Sequence, residues 1–319
     1  MRLTDPAHSS YLPPYYGSAL ARRGNFLLYA CDRPGALQAF RLDLKTGASR
    51  QLTDAGALDR RALALAADER SFCYFDGARL LQTSVASLRE REVYQTGGGF
   101  EPAGGLSLTS DGLYALFVER KAQTHRLRLL RLGRGTAETV LEAGEPLAEP
   151  QPRPRRAGIL YRRGGDELWL VNFDGRDNRK LKTAPGACGP AFWSPDGRTV
   201  LYLNFPEERS KLNSIREHTP DTHADALVAP TSQFAHFGCN ADASVFVGAS
   251  GSKASPHVLL LLRVSRRELT LAEHRAGDAA LVAPIFSPSN RTVFFQSDRH
   301  GKPAIYSIGV EKFVEPAES

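Results

Sequence analysis

Histidine is the residue of widest chemical use in this sequence, and its eight copies are scattered rather than paired. No two of them form an HxH or HExxH pattern, the spacings that direct two imidazoles to one metal ion. His236 stands apart because it lies in an apolar stretch between Ala235 and Phe237, with Gln233 as a further donor nearby. Since a transition-metal site needs three or more convergent donors, His236 predicts either a core or channel histidine or one ligand of an incomplete set.

The glycine-rich segments do not form a catalytic motif. Residues 97–99 and 248–252 contain several glycines, but neither segment leads from a strand into a helix, as a phosphate-binding loop does. A G-x-S-x-G nucleophile elbow is absent from the sequence. Both segments are therefore predicted to be loops.

Arginine dominates the charge of the chain, which carries a net charge of +6. Local concentrations occur at residues 153–163 and 263–267. A basic surface attracts anions of many kinds, but nucleic-acid recognition needs a basic stripe or a recognisable reading element, and the sequence has neither. No nucleic-acid partner is expected, and each cluster can also be read as solvated surface.

The N-terminus and the cysteines bear on the compartment. Residues 1–8 lack the apolar run of a secretion signal, and no segment approaches the roughly 18 apolar residues of a membrane span. The four cysteines, Cys31, Cys73, Cys188 and Cys239, are widely spaced and lie mostly in or beside apolar runs. We expect reduced core cysteines, a cytoplasmic location and no membrane partner.

The elements that must position these residues follow from a repeated hairpin pattern. In residues 191–202 an apolar run meets a Pro-Asp-Gly turn and re-enters a β-branched and aromatic run, as in a β-hairpin. Residues 284–295 repeat this pattern, and weaker copies lie at 19–29, 63–75, 106–117 and 237–247. A fourth-strand motif such as that at 50–53 recurs at intervals of about 43 residues. Four short strands at this period are typical of propeller blades.

We therefore predict an all-β, seven-bladed β-propeller in which residues 1–319 form a single domain. The last blade lacks a fourth strand after residues 304–308, and Arg2, Leu3 and Thr4 supply a fourth-strand motif that would complete it and close the ring. An open solenoid is the structural alternative. The approximate blades are residues 19–56, 57–98, 99–144, 145–185, 186–231, 232–275, and 276–310 with 1–6.

Five segments carry a resemblance to a known family: residues 172–175, 192–197, 214–217, 236–237 and 294–306. In these segments the chain resembles the oligogalacturonate lyase family (polysaccharide lyase family 22), and the last segment is close to a family signature. The resemblance implies a seven-bladed propeller and a β-elimination used in pectin breakdown. It also implies a divalent metal, usually manganese, on the sugar carboxylate, a histidine base and an arginine that holds the anion.

The family's metal ligands and base fall on altered residues in this chain. One metal-binding histidine of the family matches His236, but Leu281 and Ala283 stand at two further histidine positions, and Asp278 stands near a glutamine position. The base position is Pro190, which cannot accept a proton. The loss of these groups predicts that the family's metal-dependent reaction does not operate here.

The expected arginine of the family is also replaced. Its position is occupied by Glu167, and Arg162 or Arg163 could act from a neighbouring loop. Together with Lys211 and Arg216, these two arginines are the candidate substrate-binding residues. No resident cofactor is expected; manganese or another divalent ion would bind only if a site persists at His236, with Gln233 and Asp278 as weak candidate ligands.

Three functions remain open. The first is a lyase-like pseudoenzyme that binds acidic, uronate-containing oligosaccharides. The second is an active lyase on a related acidic sugar, with a rebuilt site in which His236 acts as the base and an arginine holds the carboxylate. The third is a propeller that binds protein partners.

Overall fold

Short antiparallel hairpins build the whole molecule. The structure, a computed structural model, describes residues 1–208 and 210–314. Within these residues every regular element is a β-strand except one short 3-10 helix, and the strands form seven small sheets. The first three blades are β1 (Ser10–Tyr11), β2 (Phe26–Cys31), β3 (Gln38–Asp43) and β4 (Ser49–Gln51); β5 (Leu58–Leu65), β6 (Ser71–Asp76), β7 (Arg79–Ser84) and β8 (Glu90–Gln95); and β9 (Glu101–Leu108), β10 (Tyr114–Lys121), β11 (Thr124–Arg131) and β12 (Thr136–Ala143).

The remaining blades repeat the same strand order, from an inner strand outward. They are β13 (Leu147–Pro152), β14 (Gly158–Arg163), β15 (Glu167–Asn172) and β16 (Arg179–Lys180); β17 (Ala187–Trp193), β18 (Val200–Phe205), β19 (Ser214–Thr219) and β20 (Ala224–Pro230); β21 (Phe234–Cys239), β22 (Val245–Ser250), β23 (His257–Leu262) and β24 (Arg267–Glu273); and β25 (Ile285–Phe286), β26 (Thr292–Ser297) and β27 (Ala304–Gly309), preceded by the 3-10 helix η1 (Ala279–Leu281).

The N-terminus completes the seventh blade. Arg2 pairs antiparallel with Tyr306 of β27, and Leu3 N donates to Ile305 O at 2.8 Å. These bonds give the exposed edge of β27 a partner, and a closed ring leaves no open sheet edge at this seam. The prediction of a seven-bladed propeller closed by its N-terminal strand is confirmed.

Apolar side chains fill the seams between neighbouring blades. Leu28 and Ala30 of β2 belong to the same buried cluster as Leu63 and Tyr74 of the second blade. Burial of each large side chain contributes about 1.5 to 3 kcal/mol. A blade has two apolar faces and depends on its neighbours to cover them, so this cluster lies between two blades rather than within one.

A buried carboxylate lies within the third blade. Glu119 of β10 is fully buried. Its carboxylate accepts a hydrogen bond from Tyr94 Oη at 2.6 Å and forms an ion pair with Arg126 Nε at 2.5 Å. Arg128 Nε lies 3.5 Å from the same carboxylate. The charge of Glu119 is thus compensated by two guanidinium groups, as a buried charge requires.

A loop crosses the central channel and was not predicted. The inner strand of the first blade is split: β1 pairs with the end of β2, and residues 19–21 pair with its beginning, while residues 12–18 leave the sheet. This segment, here called the channel loop, places the Tyr15 ring 5.3 Å from the His236 ring of the sixth blade. Gly17 lies against the carbonyl oxygens of Leu63 and Leu106 in the second and third blades. The first blade therefore begins ahead of the range 19–56 expected for it.

The cysteines are reduced, as predicted. All four are free, and Cys31, Cys73 and Cys188 are buried. Burial raises the pKa of the Cys73 thiol to about 12, which leaves it protonated and unreactive at neutral pH. Across the described residues, no helix has the length and apolar character needed to cross a membrane; the cytoplasmic location stays a prediction.

Candidate functional site

The inner strands of the fifth to seventh blades begin around one cavity at the end of the channel. This mouth cavity has a volume of about 510 Å³. Its wall includes Pro190 of β17, His236 of β21, and Leu281 and Ala283 around η1. The channel loop closes its inner side with residues 12–16. The structure thus brings His236 together with the three residues that the resemblance matches to the family's base and further metal ligands.

His236 is a buried, neutral imidazole. The residue is 5% exposed and follows a bulge in β21, where Phe234 pairs with Ser250 but His236 pairs with the adjacent Ala249. Its Nδ1 is buried without a hydrogen-bond partner within the described residues. Burial lowers the pKa of His236 to about 4, because the charged form would lose its hydration. The side chain is therefore a hydrogen-bonding base at neutral pH rather than a cation.

The donors around His236 do not fit a divalent metal. Pro190, Leu281 and Ala283 have no side-chain donor atom, and no cluster of three or more His, Cys, Asp or Glu suited to a metal occurs in the part of the chain that the structure describes. Asp278 instead caps η1, with Oδ1 accepting from Ala280 N at 2.9 Å. Gln233 is exposed, and it does not line the mouth cavity. One imidazole is too few ligands for manganese or zinc.

Arg162 enters the mouth cavity but is fully engaged by the protein. Its Nε donates to Glu149, its Nη1 donates to Cys188 O at 2.9 Å, and its Nη2 donates to Gly189 O. The guanidinium thus joins β14 to the start of β17 and satisfies two backbone carbonyls there. Arg162 positions the cavity wall, and few of its donors remain for a ligand.

Tyr15 is held by the same network. Its hydroxyl donates to Glu149, the carboxylate that also accepts from Arg162. Burial, followed by the nearby charge of Glu149, raises the pKa of Tyr15 well above its usual value. The phenol therefore remains protonated, and the channel loop is fastened to the fourth blade by a charge-assisted hydrogen bond.

The other predicted binding residues lie outside the mouth cavity. Arg163 pairs with Glu145 at 2.9 Å and lies over the Trp169 ring. Lys211 and Arg216 line a separate cleft of about 580 Å³ beside residues 204–208. In that cleft Arg216 is bound to Asp225 at 2.6 Å, and Lys211 to Glu208 at 2.7 Å. The structure does not bring these three cations to His236.

Two arginines that sequence reasoning missed do reach the mouth cavity. Arg60 and Arg61 of β5 form part of its wall, and Arg61 pairs with Asp59 at 3.3 Å. The Arg60 guanidinium lies 4.4 Å from the centroid of the Tyr11 ring, and it has no hydrogen bond or ion pair to any described residue. The available signal was the charged triplet at 59–61 inside an otherwise apolar inner strand. A fixed guanidinium without a carboxylate partner is suited to bind an incoming anion.

The fold and the mouth cavity define a seven-bladed propeller with a ligand-sized opening at one end of its channel. No protein-family model matches the chain. An oligogalacturonide lyase of Pectobacterium atrosepticum is 26% identical over 96% of this chain and 92% of its own length. Two solved structures superpose closely: an oligogalacturonate lyase in complex with manganese (TM-score 0.90, 24% identity, 97% of this chain and 92% of that one) and an oligogalacturonate lyase from Vibrio parahaemolyticus (TM-score 0.89, 25% identity, 97% and 93%). The resemblance to the oligogalacturonate lyase family is confirmed: this chain is similar to proteins of that name over nearly its whole length.

Proposed function

We propose that this protein binds acidic, uronate-containing oligosaccharides in the mouth cavity and does not perform a metal-dependent β-elimination there. The observation that carries the proposal is the composition of one wall: His236 lies beside Pro190, Leu281 and Ala283, and none of these three can bind a metal ion or accept a proton. The relatives are named for oligogalacturonate, an acidic oligosaccharide, which supports a ligand of that class.

Arg60 is the residue best placed to recognise the acidic group. It lies at the cavity wall without a carboxylate partner among the described residues, and the Tyr11 ring holds it in place. A guanidinium can donate two parallel hydrogen bonds to a carboxylate. In the same wall Arg162 is paired with Glu149, and Arg61 is paired with Asp59. Arg60 is therefore the cation of the wall that is left to bind an acidic group, and Asp166 is a further carboxylate there.

The polar and aromatic groups of the wall suit a sugar body. The neutral His236 offers a hydrogen-bonding group, and the Tyr15 and Tyr16 rings of the same wall offer flat apolar faces. The volume of about 510 Å³ lies within the usual range for small-ligand sites. A disaccharide therefore suits the cavity better than a long chain does.

The binding test is calorimetric titration of the protein with digalacturonate in buffer containing EDTA. We expect binding without metal, and Arg60→Ala should weaken it about tenfold or more, since a hydrogen bond to a charged group contributes about 1.5 to 3 kcal/mol. Arg134→Ala is the matched control, because Arg134 is an exposed arginine far from the cavity. Absence of binding, or binding that requires manganese, would overturn the proposal.

A second candidate, a lyase with a rebuilt site, is favoured by the state of His236. A buried neutral imidazole with an unpartnered Nδ1 could remove the proton at C5 of a uronate, while the C4–O bond breaks and a C4=C5 double bond forms. The leaving oxygen would take its proton from water. Ultraviolet absorbance of the unsaturated product, measured with digalacturonate with and without manganese, decides between the two. A rising signal abolished by His236→Asn would establish the lyase, and a flat trace with intact binding would leave the binding protein.

A further inference from the structure

A second cavity lies at the opposite end of the channel. This turn cavity has a volume of about 820 Å³ and is lined by the ends of the inner strands β9, β13 and β17 and by the turns that follow them. The mouth cavity is lined by the beginning of β17, so the two openings lie at opposite ends of this strand. Tyr15 and Tyr16 of the channel loop line both cavities and separate them.

Three arginines surround the turn cavity. Arg153, Arg155 and Arg156 belong to the turn between β13 and β14, which the sequence marks as a basic concentration. Asp221 binds two of them, Arg153 Nη1 at 3.1 Å and Arg156 Nη1 at 2.9 Å. Arg155 is exposed, and its guanidinium has no hydrogen bond or ion pair to residues 1–208 or 210–314. Arg155 is therefore the one arginine of the three that has no carboxylate partner among the described residues.

The acidic group in the wall is already occupied. Asp111 accepts a hydrogen bond from Thr109 Oγ1 at 2.5 Å and from Leu113 N at 2.9 Å. Its carboxylate stabilises the turn after β9 but keeps its negative charge, so the three arginines against Asp111 and Asp221 leave one net positive charge. An anion is consequently favoured over a cation at this end of the channel.

The apolar part of the wall is aromatic. Trp193 is buried, its Nε1 faces Gln151 O at 3.4 Å, and Arg153 lies 4.9 Å over its ring. Phe173 and Phe192 line the same cavity. Flat aromatic faces pack against the apolar face of a pyranose ring, while guanidinium groups bind an acidic substituent. The hydroxyl of Ser110 lies in the same wall and can bond to a sugar hydroxyl.

We propose that the turn cavity is a second binding site, for a small sugar that carries a carboxylate or a phosphate. Arg155 binds the acidic group, and Phe173 and Phe192 hold the ring, with Trp193 in the wall beside them. This site shares no arginine with the mouth cavity and is independent of the function proposed for it.

The test follows the fluorescence of Trp193. The chain has two tryptophans, and Trp169 lines neither cavity, so Trp169→Phe leaves Trp193 as the only reporter. The probes are galacturonate, glucose 6-phosphate and neutral glucose. We expect at least one acidic probe to change the fluorescence and glucose to leave it unchanged; the better acidic probe identifies a carboxylate or a phosphate as the natural group.

The variants locate the binding event. Arg155→Ala should weaken binding of the acidic probe about tenfold or more, whereas Arg266→Ala should leave it unchanged. Arg266 is a matched control because it is also exposed and also lies at a turn position with positive φ (55°, against 61° for Arg155). Arg60→Ala, in the mouth cavity, should have no effect on this signal. The proposal is overturned if neither acidic probe changes the fluorescence, or if Arg155→Ala binds like the unmodified protein; digalacturonate binding at Arg60 would stand in either case.

Discussion

The buried state of His236 predicts a specific loss of stability in acid. In the folded chain the pKa of His236 is about 4, against 6.5 for an unperturbed histidine. Between these pH values the unfolded state binds a proton that the folded state excludes, so the free energy of unfolding falls as the pH falls. The loss of stability due to His236 is close to zero above pH 6.5, is about 2 kcal/mol near pH 5, and approaches about 3 kcal/mol at pH 4.

The perturbation is His236→Gln, which keeps a polar side chain of similar size but removes the titrating group. Urea unfolding of both proteins at several pH values from about 7 to 5 measures the difference. Between these limits the unmodified protein should lose about 2 kcal/mol more than the variant. Other buried histidines, such as His218 and His274, also have lowered pKa values because of burial, but they contribute equally in both proteins.

The control is His300→Gln, which removes an exposed histidine from the last blade. It should follow the unmodified protein across the pH range. Parallel curves for His236→Gln and the unmodified protein would refute the reasoning, because they would mean that His236 takes up its proton equally in the folded and unfolded chains.

Three further predictions concern the ring and its core. Deletion of residues 1–4 removes the strand that completes the last blade. Each lost hydrogen bond costs about 1 kcal/mol, and packing is lost as well. Urea unfolding should therefore show a loss of about 3 to 5 kcal/mol in the free energy of unfolding. Gly105→Ala should lower the melting temperature, because a φ of 101° strains alanine and the new Cβ would lie 2.5 Å from the Tyr16 hydroxyl. An unchanged melting temperature would show that the channel loop moves aside without cost. Glu119→Ala should cost about 3 to 5 kcal/mol by leaving Arg126 without its carboxylate, and a change below about 1 kcal/mol would contradict the role given to this pair.

The blades could be predicted because their signals are local. A few adjacent residues, such as Pro195-Asp196-Gly197, are enough to indicate a hairpin. Gly197 has the positive φ of 70° that the turn needs. The closing strand was also predictable, because the repeat showed which strand was missing. The channel loop was not predictable in this way. The sequence signals a turn there through Pro13, Pro14 and Gly17, but the path of the loop depends on Glu149 and His236, far away in the sequence.

The candidate site could be predicted only in part, for a related reason. The resemblance brought His236, Pro190, Leu281 and Ala283 together, and the structure places all four around one cavity. The role of Arg162 was not predictable, because an arginine in a strand can point equally to a ligand or to a backbone carbonyl. Only the arrangement of neighbouring blades shows that Arg162 binds the carbonyls at the start of β17.

The network around Tyr15 also determines how the two cavities relate. Arg162 is bonded to β17, Glu149 is bonded to Arg162, and Tyr15 is bonded to Glu149, so the channel loop is tied to two blades through buried groups. Coupling between two sites requires an element with two arrangements that each ligand favours differently. The structure holds the channel loop in one arrangement, by a charge-assisted hydrogen bond to Glu149 on one side and by the packed His236 ring on the other. Ligands at the two ends of the channel should therefore bind independently, and saturation of the mouth cavity with digalacturonate should leave the affinity of the turn cavity unchanged.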